Sequence, residues 1–348
     1  MASNEVRKDY LLNRWVIIAR ERKKRPTDFA KKEVTQKEGV CPFCPGNEHM
    51  TPPAVLVYLS SNGNIRKEKD QDGLRHKDWL VRVVPNAYPV LTPPTEESVT
   101  TKESSASAIA VGHHEVIIES PFHDEQPGAA RVSHLVHVIN AYLDRLAALS
   151  GKPYVKHVSI FRNHGREAGA SLSHAHTQLI ATPIIPRILA EELEASKSFW
   201  TKNHACLLCD VLAKERDSPR FIWENRSFVV FAPWASVNPL EFWVLPKRHH
   251  SNMLSMSGRE VEDLAETMRV CLGGLRSLLN DSPYNFGFHT LLKEDAGECY
   301  HWHLEVYPRL AIWAGFEKST GMFINVISPE DAAAELREAV KAEKKSLQ

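Results

Sequence analysis

The stretch from Phe161 to Gln178, FRNHGREAGASLSHAHTQ, decides how the rest of the chain is read. It closes on His174-Ala175-His176-Thr177-Gln178. Successive side chains of an extended strand alternate faces, so His174, His176 and Gln178 are expected to point the same way. Just before them runs Ala168-Gly169-Ala170-Ser171. Residues this small let backbone N–H groups approach a ligand closely, and converging N–H donors suit an anion. The stretch reads as a phosphate cradle followed by two imidazoles and an amide aimed at it. A strand with two half-buried histidines is the plainer alternative, and the surrounding sequence decides between them.

The marker occurs again at His301-Trp302-His303. Upstream of each copy lies the same series: a C-x-x-C pair, strands, a histidine, a long helical segment and a strand. The pairs are Cys41/Cys44 and Cys206/Cys209, and the histidines are His123 and His249. His123 and His174 are 51 positions apart; His249 and His301 are 52 apart. The chain therefore reads as a duplicated α+β unit, a mostly antiparallel sheet with helices packed on it. Its 348 residues also exceed the ~250–300 at which single cores usually split. The expected units are residues 1–185, holding the working site, and 186–348.

Each unit offers two thiols and two imidazoles, a set that suits tetrahedral Zn²⁺. The expected ligands are Cys41, Cys44, His123 and His174 in the first unit, and Cys206, Cys209, His249 and His301 in the second. Redox-active or buried free cysteines are the competing reading of a lone C-x-x-C, but matched downstream histidines favour metal. Four protein ligands leave no open position, so both ions are expected to be structural. His176 is then the free imidazole beside the first site. The halves differ at the chemistry: Gln178 corresponds to Glu305, whose carboxylate would repel a phosphate, and no glycine-rich cradle precedes His301. One working site per chain is expected, in the first half.

Composition narrows the function classes. Lys+Arg and Asp+Glu both total 43, so bulk nucleic-acid or membrane-surface binding is disfavoured, and a zinc-stapled nucleic-acid-binding module is a remote alternative. The N-terminus has no apolar signal core and no run is long enough to span a bilayer, which predicts a cytoplasmic protein. In a reducing compartment the C-x-x-C spacing points to metal more than to structural disulfides.

Other segments follow from pattern. Trp15–Ala19 reads as a strand entering the basic turn Arg20–Pro26, either a solvated loop or a phosphate-binding arm. Asp78–Val84 is a strand ending at a turn with Asn86. The Ser/Thr/Pro/Glu-rich stretch Leu91–Ala110 reads as a mobile surface loop. Val132–Leu149 carries a helical stripe with Gly151 as its stop, and Pro186–Trp200 is helical. Ser257-x-x-Glu260 is a capping box opening a helix to Leu279, in which Gly273-Gly274 predicts close packing. Ser328-Pro329 starts a terminal helix.

These residues resemble the galactose-1-phosphate uridylyltransferase family of the histidine-triad superfamily, close to its ADP-glucose phosphorylase branch. The likeness runs from about Arg14 to Glu330 and is carried by CPFC, Arg22…Arg25-Pro26, Asn86, Asn163…Gly169-Ala170-Ser171 and His174-x-His176-x-Gln178. It implies His176 as a nucleophile that becomes nucleotidylated, with Gln178 on the phosphoryl group. It implies the first Cys₂His₂ set as zinc ligands, and Arg22, Arg25, Asn86, Asn163, Gly169, Ala170 and Ser171 near nucleotide and phosphates. Gly315-Phe316-Glu317 resembles the sugar-contacting segment, with Glu317 on sugar hydroxyls. Ala175 stands where the best-known uridylyltransferases have Pro, and Ala311 where they have Lys. The second Cys₂His₂ set leans to the phosphorylase branch. The expected activity is UDP-glucose:galactose-1-phosphate uridylyl transfer by a ping-pong route. ADP-glucose phosphorolysis is the alternative. Either implies a nucleotide sugar and a hexose 1-phosphate as partners; a homodimer is left open.

Overall fold

Strand and helix formers in this chain sort around one large sheet and one small one. The computed structural model describes residues 4–22, 39–61, 63–95, 110–292 and 297–347. Arg25 and residues 96–109 of the expected surface loop lie outside that set. Among the described residues the strands are β1 Glu5–Lys8, β2 Trp15–Ile18, β3 Leu56–Ser61, β4 Asn64–Glu68, β5 Trp79–Pro85, β6 His113–Ile118, β7 His157–His164, β8 His176–Thr182, β9 Phe221–Glu224, β10 Phe228–Phe231, β11 Phe242–Pro246, β12 Tyr284–His289, β13 His303–Pro308 and β14 Phe323–Asn325. The helices are α1 Val132–Ser150, α2 Arg187–Asn203, α3 Leu207–Arg216, α4 Gly258–Leu279, α5 Gly315–Thr320 and α6 Pro329–Ser346.

Eleven strands join in the order β4-β3-β5-β6-β8-β7-β12-β13-β11-β10-β9. The run β5-β6-β8-β7 is repeated in mirror order as β12-β13-β11-β10, so the chain is a duplicated α+β unit. The halves meet where β7 and β12 pair antiparallel, from Tyr284↔His164 to Phe288↔Ile160. β1 and β2 are built differently: they form a small sheet with β14, which lies beside β2. The N-terminal strands therefore sit with the end of the chain.

Alternation divides the sheet into two faces. Val81, Val83, Ile117, Leu179 and Ala181 pack on one side with Leu135, Val138, Ile139 and Tyr142 of α1 and with Leu264, Met268 and Leu275 of α4. Val84, Val116 and Ile118 belong to a separate cluster on the other side, beside Phe43 of the first C-x-x-C. That second face carries His176 and Gln178, because Ile118 pairs with His176 and Val116 with Gln178.

The capping box is present: Glu260 N–H donates to Ser257 Oγ at 3.3 Å and Ser257 N–H to Glu260 Oε2 at 2.7 Å. The Gly273-Gly274 pair is a contact point. A Cβ on Gly274 would sit 2.9 Å from Val340 N of α6, and Gly128, before α1, comes equally close to Gly273. Gly151 stops α1 where expected, as its C-cap with φ −73°. One detail departs from expectation: His174 precedes β8, which begins at His176. The two C-x-x-C pairs sit on different supports, because Cys206 is the N-cap of α3 and Cys209 lies in its first turn.

Candidate active site

β8 delivers His176 to the sheet face, and the backbone chooses its tautomer. His176 Nδ1 lies 2.8 Å from the carbonyl oxygen of His174. A carbonyl accepts only, so Nδ1 carries the proton and Nε2 keeps its lone pair. The ring is 6% exposed, and this burial lowers its pKa below the ordinary histidine value, which keeps it neutral. Phe43 meets it edge-on, with ring centroids 5.4 Å apart. Beneath the strand, buried Arg162 of β7 donates to the His176 carbonyl at 3.1 Å and pairs with Glu119. Glu119 also accepts from Tyr142 Oη at 2.6 Å and Thr177 Oγ1 at 2.5 Å. This buried ion pair, hydrogen-bonded to the strand that carries His176, fixes register around that imidazole.

The cradle is built by the turn after β7. Gly169 has φ 92°, a left-handed conformation that glycine adopts without strain. Ala170 N–H donates back to Gly165 O at 3.1 Å. Asn163 is held by the second half: Asn285 Nδ2 of β12 donates to Asn163 Oδ1 at 2.8 Å and to Ala168 O at 2.7 Å. Gln178 is half-buried on the same face as His176, and its Oε1 lies 2.8 Å from His114 Nε2. Asn86 N–H donates to His114 O at 2.8 Å. Ser171 is exposed at the cradle's end. Asn163, Gly169, Ala170, Gln178 and Asn86 thus gather around β8. Arg22 is exposed in a short 3₁₀ turn, Arg20–Arg22. Phe316 and Glu317 lie on α5: Phe316 is 42% exposed, and Glu317 Oε2 accepts from Ala314 N at 3.0 Å, capping its own helix.

The two Cys₂His₂ sets are each drawn together, all their ligand atoms lying within 4.8 Å of one another. In the first, Cys44 Sγ is 3.3 Å from His123 Nδ1 and 3.6 Å from His174 Nδ1, and Cys41 Sγ is 3.7 Å from the latter. In the second, Cys209 Sγ is 3.4 Å from both His249 Nδ1 and His301 Nδ1. A tetrahedral ion about 2.3 Å from sulfur and about 2.0–2.1 Å from nitrogen needs S···N edges of about 3.6 Å. Both sets fit. The shells behind them differ. His174 Nε2 donates to Ser120 O at 2.8 Å, and His123 Nε2 lies 2.9 Å from Ser173 Oγ. His249 Nε2 and His301 Nε2 are buried and reach no hydrogen-bond partner among the described residues.

The second-half imidazole is disabled. His303 Nε2 lies 3.0 Å from Glu305 Oε1, so the nitrogen corresponding to the bare one of His176 is engaged by a carboxylate. Around it, His289 is 2.7 Å from Glu192. Burial opposes protonation of His289, but Glu192 and Glu305 overcome it and push its pKa up to about 9. The sequence reading passed over His114, Asn285, Arg162 and Glu119. His114 opens the segment His114–Glu119 that reads as a strand, but its contact across to β8 is invisible before register is known.

A family model described as "Domain of unknown function (DUF4921)" matches residues 92–347. The chain is 34% identical over 344 residues to the ADP-glucose phosphorylase of Arabidopsis thaliana, covering 97% of this chain and 93% of the relative. It is 28% identical over 343 residues to the galactose-1-phosphate uridylyltransferase of Thermotoga maritima, covering 96% and 98%. The crystal structure of an Arabidopsis thaliana ADP-glucose phosphorylase with bound ADP-glucose superposes with a TM-score of 0.81 at 30% identity, covering 97% of this chain and 99% of that one. A uridylyltransferase structure gives 0.73 at 27% identity, covering 99% and 100%. With near-complete coverage in sequence and in fold, this chain belongs to the family of nucleotidyltransferase-type enzymes that holds galactose-1-phosphate uridylyltransferase and ADP-glucose phosphorylase.

Proposed function

We propose that the protein transfers a nucleotidyl group from a nucleotide sugar to a phosphate-bearing acceptor through a covalent intermediate on His176. The observation that carries this is the 2.8 Å contact from His176 Nδ1 to the His174 carbonyl, which leaves Nε2 bare, neutral and beside Gln178. Nε2 attacks the α-phosphorus; the bond from that phosphorus to the bridging oxygen breaks, and sugar 1-phosphate leaves with the electron pair. The acceptor's phosphate oxygen then attacks the same phosphorus and restores the imidazole. Gln178, Ser171 and cradle N–H groups meet the equatorial oxygens. Arg22, Arg25, Asn86 and Asn163 hold the nucleotide and phosphates, and Phe316 and Glu317 the sugar. Removing one such donor typically costs about 3–4 kcal/mol in the barrier.

Zn²⁺ is assigned to Cys41, Cys44, His123 and His174, and a second ion to Cys206, Cys209, His249 and His301. Each supplies cross-linking of the fold and no open coordination position, so the chemistry runs on the side chains.

The higher identity and superposition score of ADP-glucose phosphorylase, with the second Cys₂His₂ set, favour ADP-glucose as donor and inorganic phosphate as acceptor. The end-to-end likeness to the Thermotoga maritima enzyme favours the second reading, UDP-glucose with galactose 1-phosphate. Incubating the protein with each donor alone and weighing it by mass spectrometry identifies the base by the mass attached. Adding phosphate or galactose 1-phosphate then shows which acceptor discharges it. A protein that gains no mass from either donor refutes the proposal.

A further inference from the structure

We propose that His114 sets the orientation of the Gln178 carboxamide, so that its NH₂ group and not its oxygen is presented to the reacting phosphoryl group. The inference rests on the nucleotidyl-transfer reading above. His114 lies on β6 opposite Ile180, and Val116 opposite Gln178, so His114 shares the site face. Its ring is 8% exposed. The backbone N–H of Val90, which can only donate, lies 3.3 Å from Nδ1. That nitrogen must accept, and the proton of the neutral ring sits on Nε2. Two side-chain atoms approach Nε2: Gln178 Oε1 at 2.8 Å and Asn86 Nδ2 at 3.1 Å. Asn86 Oδ1 is committed to Tyr88 N–H at 2.9 Å, so its Nδ2 is a donor and cannot take the imidazole proton. Gln178 Oε1 takes it. Both amide hydrogens of Gln178 are then left for a ligand whose oxygens only accept. A flipped amide would set its oxygen against them.

The second half supplies an internal control. Trp243 pairs with Glu305 as Val116 pairs with Gln178. Two positions before Trp243 stands Glu241, the counterpart of His114. It is buried and accepts from Val237 N at 3.0 Å and Asn238 N at 2.9 Å. Where the first half has an imidazole donor and an amide at these two positions, the second has two carboxylates, Glu241 and Glu305. The duplicated scaffold carries the donor pair only beside the bare imidazole.

The test compares His114→Leu with His114→Gln, whose side-chain N–H reaches about as far as the imidazole Nε2–H. We expect His114→Leu to slow single-turnover formation of the nucleotidyl-enzyme by about 10–100-fold, less than the ~10²–10³ for deleting a donor outright. KM for the nucleotide sugar should stay within about threefold, with zinc content and thermal midpoint unchanged. His114→Gln should recover most of the lost rate. If His114→Leu does not fold, His114→Asn, which is too short to reach Gln178, takes its place. A wild-type rate in the short variants, or a His114→Gln protein as slow as they are, overturns the proposal. A second readout needs no turnover: ¹⁵N signals of labelled histidine, with His114→Gln identifying the resonance, should show the Nε2–H tautomer. An Nδ1–H tautomer overturns the proposal whichever substrates react. A wild-type protein with the Nε2–H tautomer that takes no label from any nucleotide sugar removes the nucleotidyl-transfer reading and leaves the His114–Gln178 bond standing.

Discussion

His174 and His176 are two residues apart and should fail in different ways. In the proposed mechanism, His176→Gly removes the nucleophile but no metal ligand. It should fold, keep its zinc and lose turnover by more than the ~10²–10³ of a lost donor. Added imidazole should restore part of the transfer by filling the gap. His174→Asn removes a ligand and should lose zinc and thermal stability first, with activity falling as a consequence. Zinc content, thermal midpoint and label incorporation, read together, separate the two; labelled nucleotidyl-enzyme in His176→Gly at the wild-type rate would falsify the assignment. Burial lowers the His176 pKa, so the acid limb of nucleotidyl-enzyme formation should lie below the ordinary histidine value of about 6.5. His157, also buried, is held down to about 4 by desolvation. Its neutral form contributes stability that is present above pH ~6.5 and is lost as the pH falls towards ~4, because over that window the unfolded chain binds the extra proton. Denaturant midpoints across this window should fall less steeply in His157→Gln. Of these residues, the two Cys₂His₂ sets were legible because they recur at fixed spacing, and each is drawn together in the fold. His114, Asn285, Arg162 and Glu119 were not, because each acts across a strand pairing or against a distant loop.

At the scale of elements, the two Cys₂His₂ sets are one motif on two supports. The first C-x-x-C is a turn whose histidines are oriented from behind by Ser120 O and Ser173 Oγ. The second opens α3, and its histidine Nε2 atoms reach no such partner among the described residues. Outer-shell partners of a ligating histidine are worth about 10–100-fold in metal affinity. Titration with a chelator should therefore release zinc in two steps, the second-half ion first. Cys206→Ser with Cys209→Ser should hold about half the wild-type zinc, by one ion per four-ligand site. Unchanged metal content, or loss of both ions together, would sink the assignment. Helices and the repeat were readable because their signals are local or periodic: the Ser257 box, the α1 stripe and the proline after Ser328 all stand where expected. The β3–β4 hairpin escaped despite its Asn62-Gly63 pair, since only two residues separate Ser61 from Asn64. β1 escaped because Glu5–Lys8 is short and charged, and becomes a strand only through its pairing with β2.

For the whole molecule the question is whether residues 1–185 and 186–348 are units that stand alone. The first unit contains His176, Gln178, the cradle and one Cys₂His₂ set, and by sequence it reads as self-sufficient. Its connections argue otherwise. β7 would lose β12 and expose a row of backbone donors and acceptors along an edge. Asn163 would lose the clamp from Asn285. β2 would lose β14. Arg7, buried to 3% exposure, donates to Trp234 O and pairs with Glu330, both at 3.0 Å and both in the second half. Stripping partners from a buried charge costs about 3–5 kcal/mol, comparable to the whole stability margin of about 5–15 kcal/mol of a folded protein. The fragment 1–185 expressed alone should therefore aggregate or remain unfolded. Co-expressed with 186–348, it should form a soluble complex that takes up a nucleotidyl label on His176. The intact chain should unfold in urea as one transition, with zinc release and tryptophan fluorescence coinciding. A soluble 1–185 fragment that binds one zinc and labels on its own would show instead that the continuous sheet joins two independently stable halves.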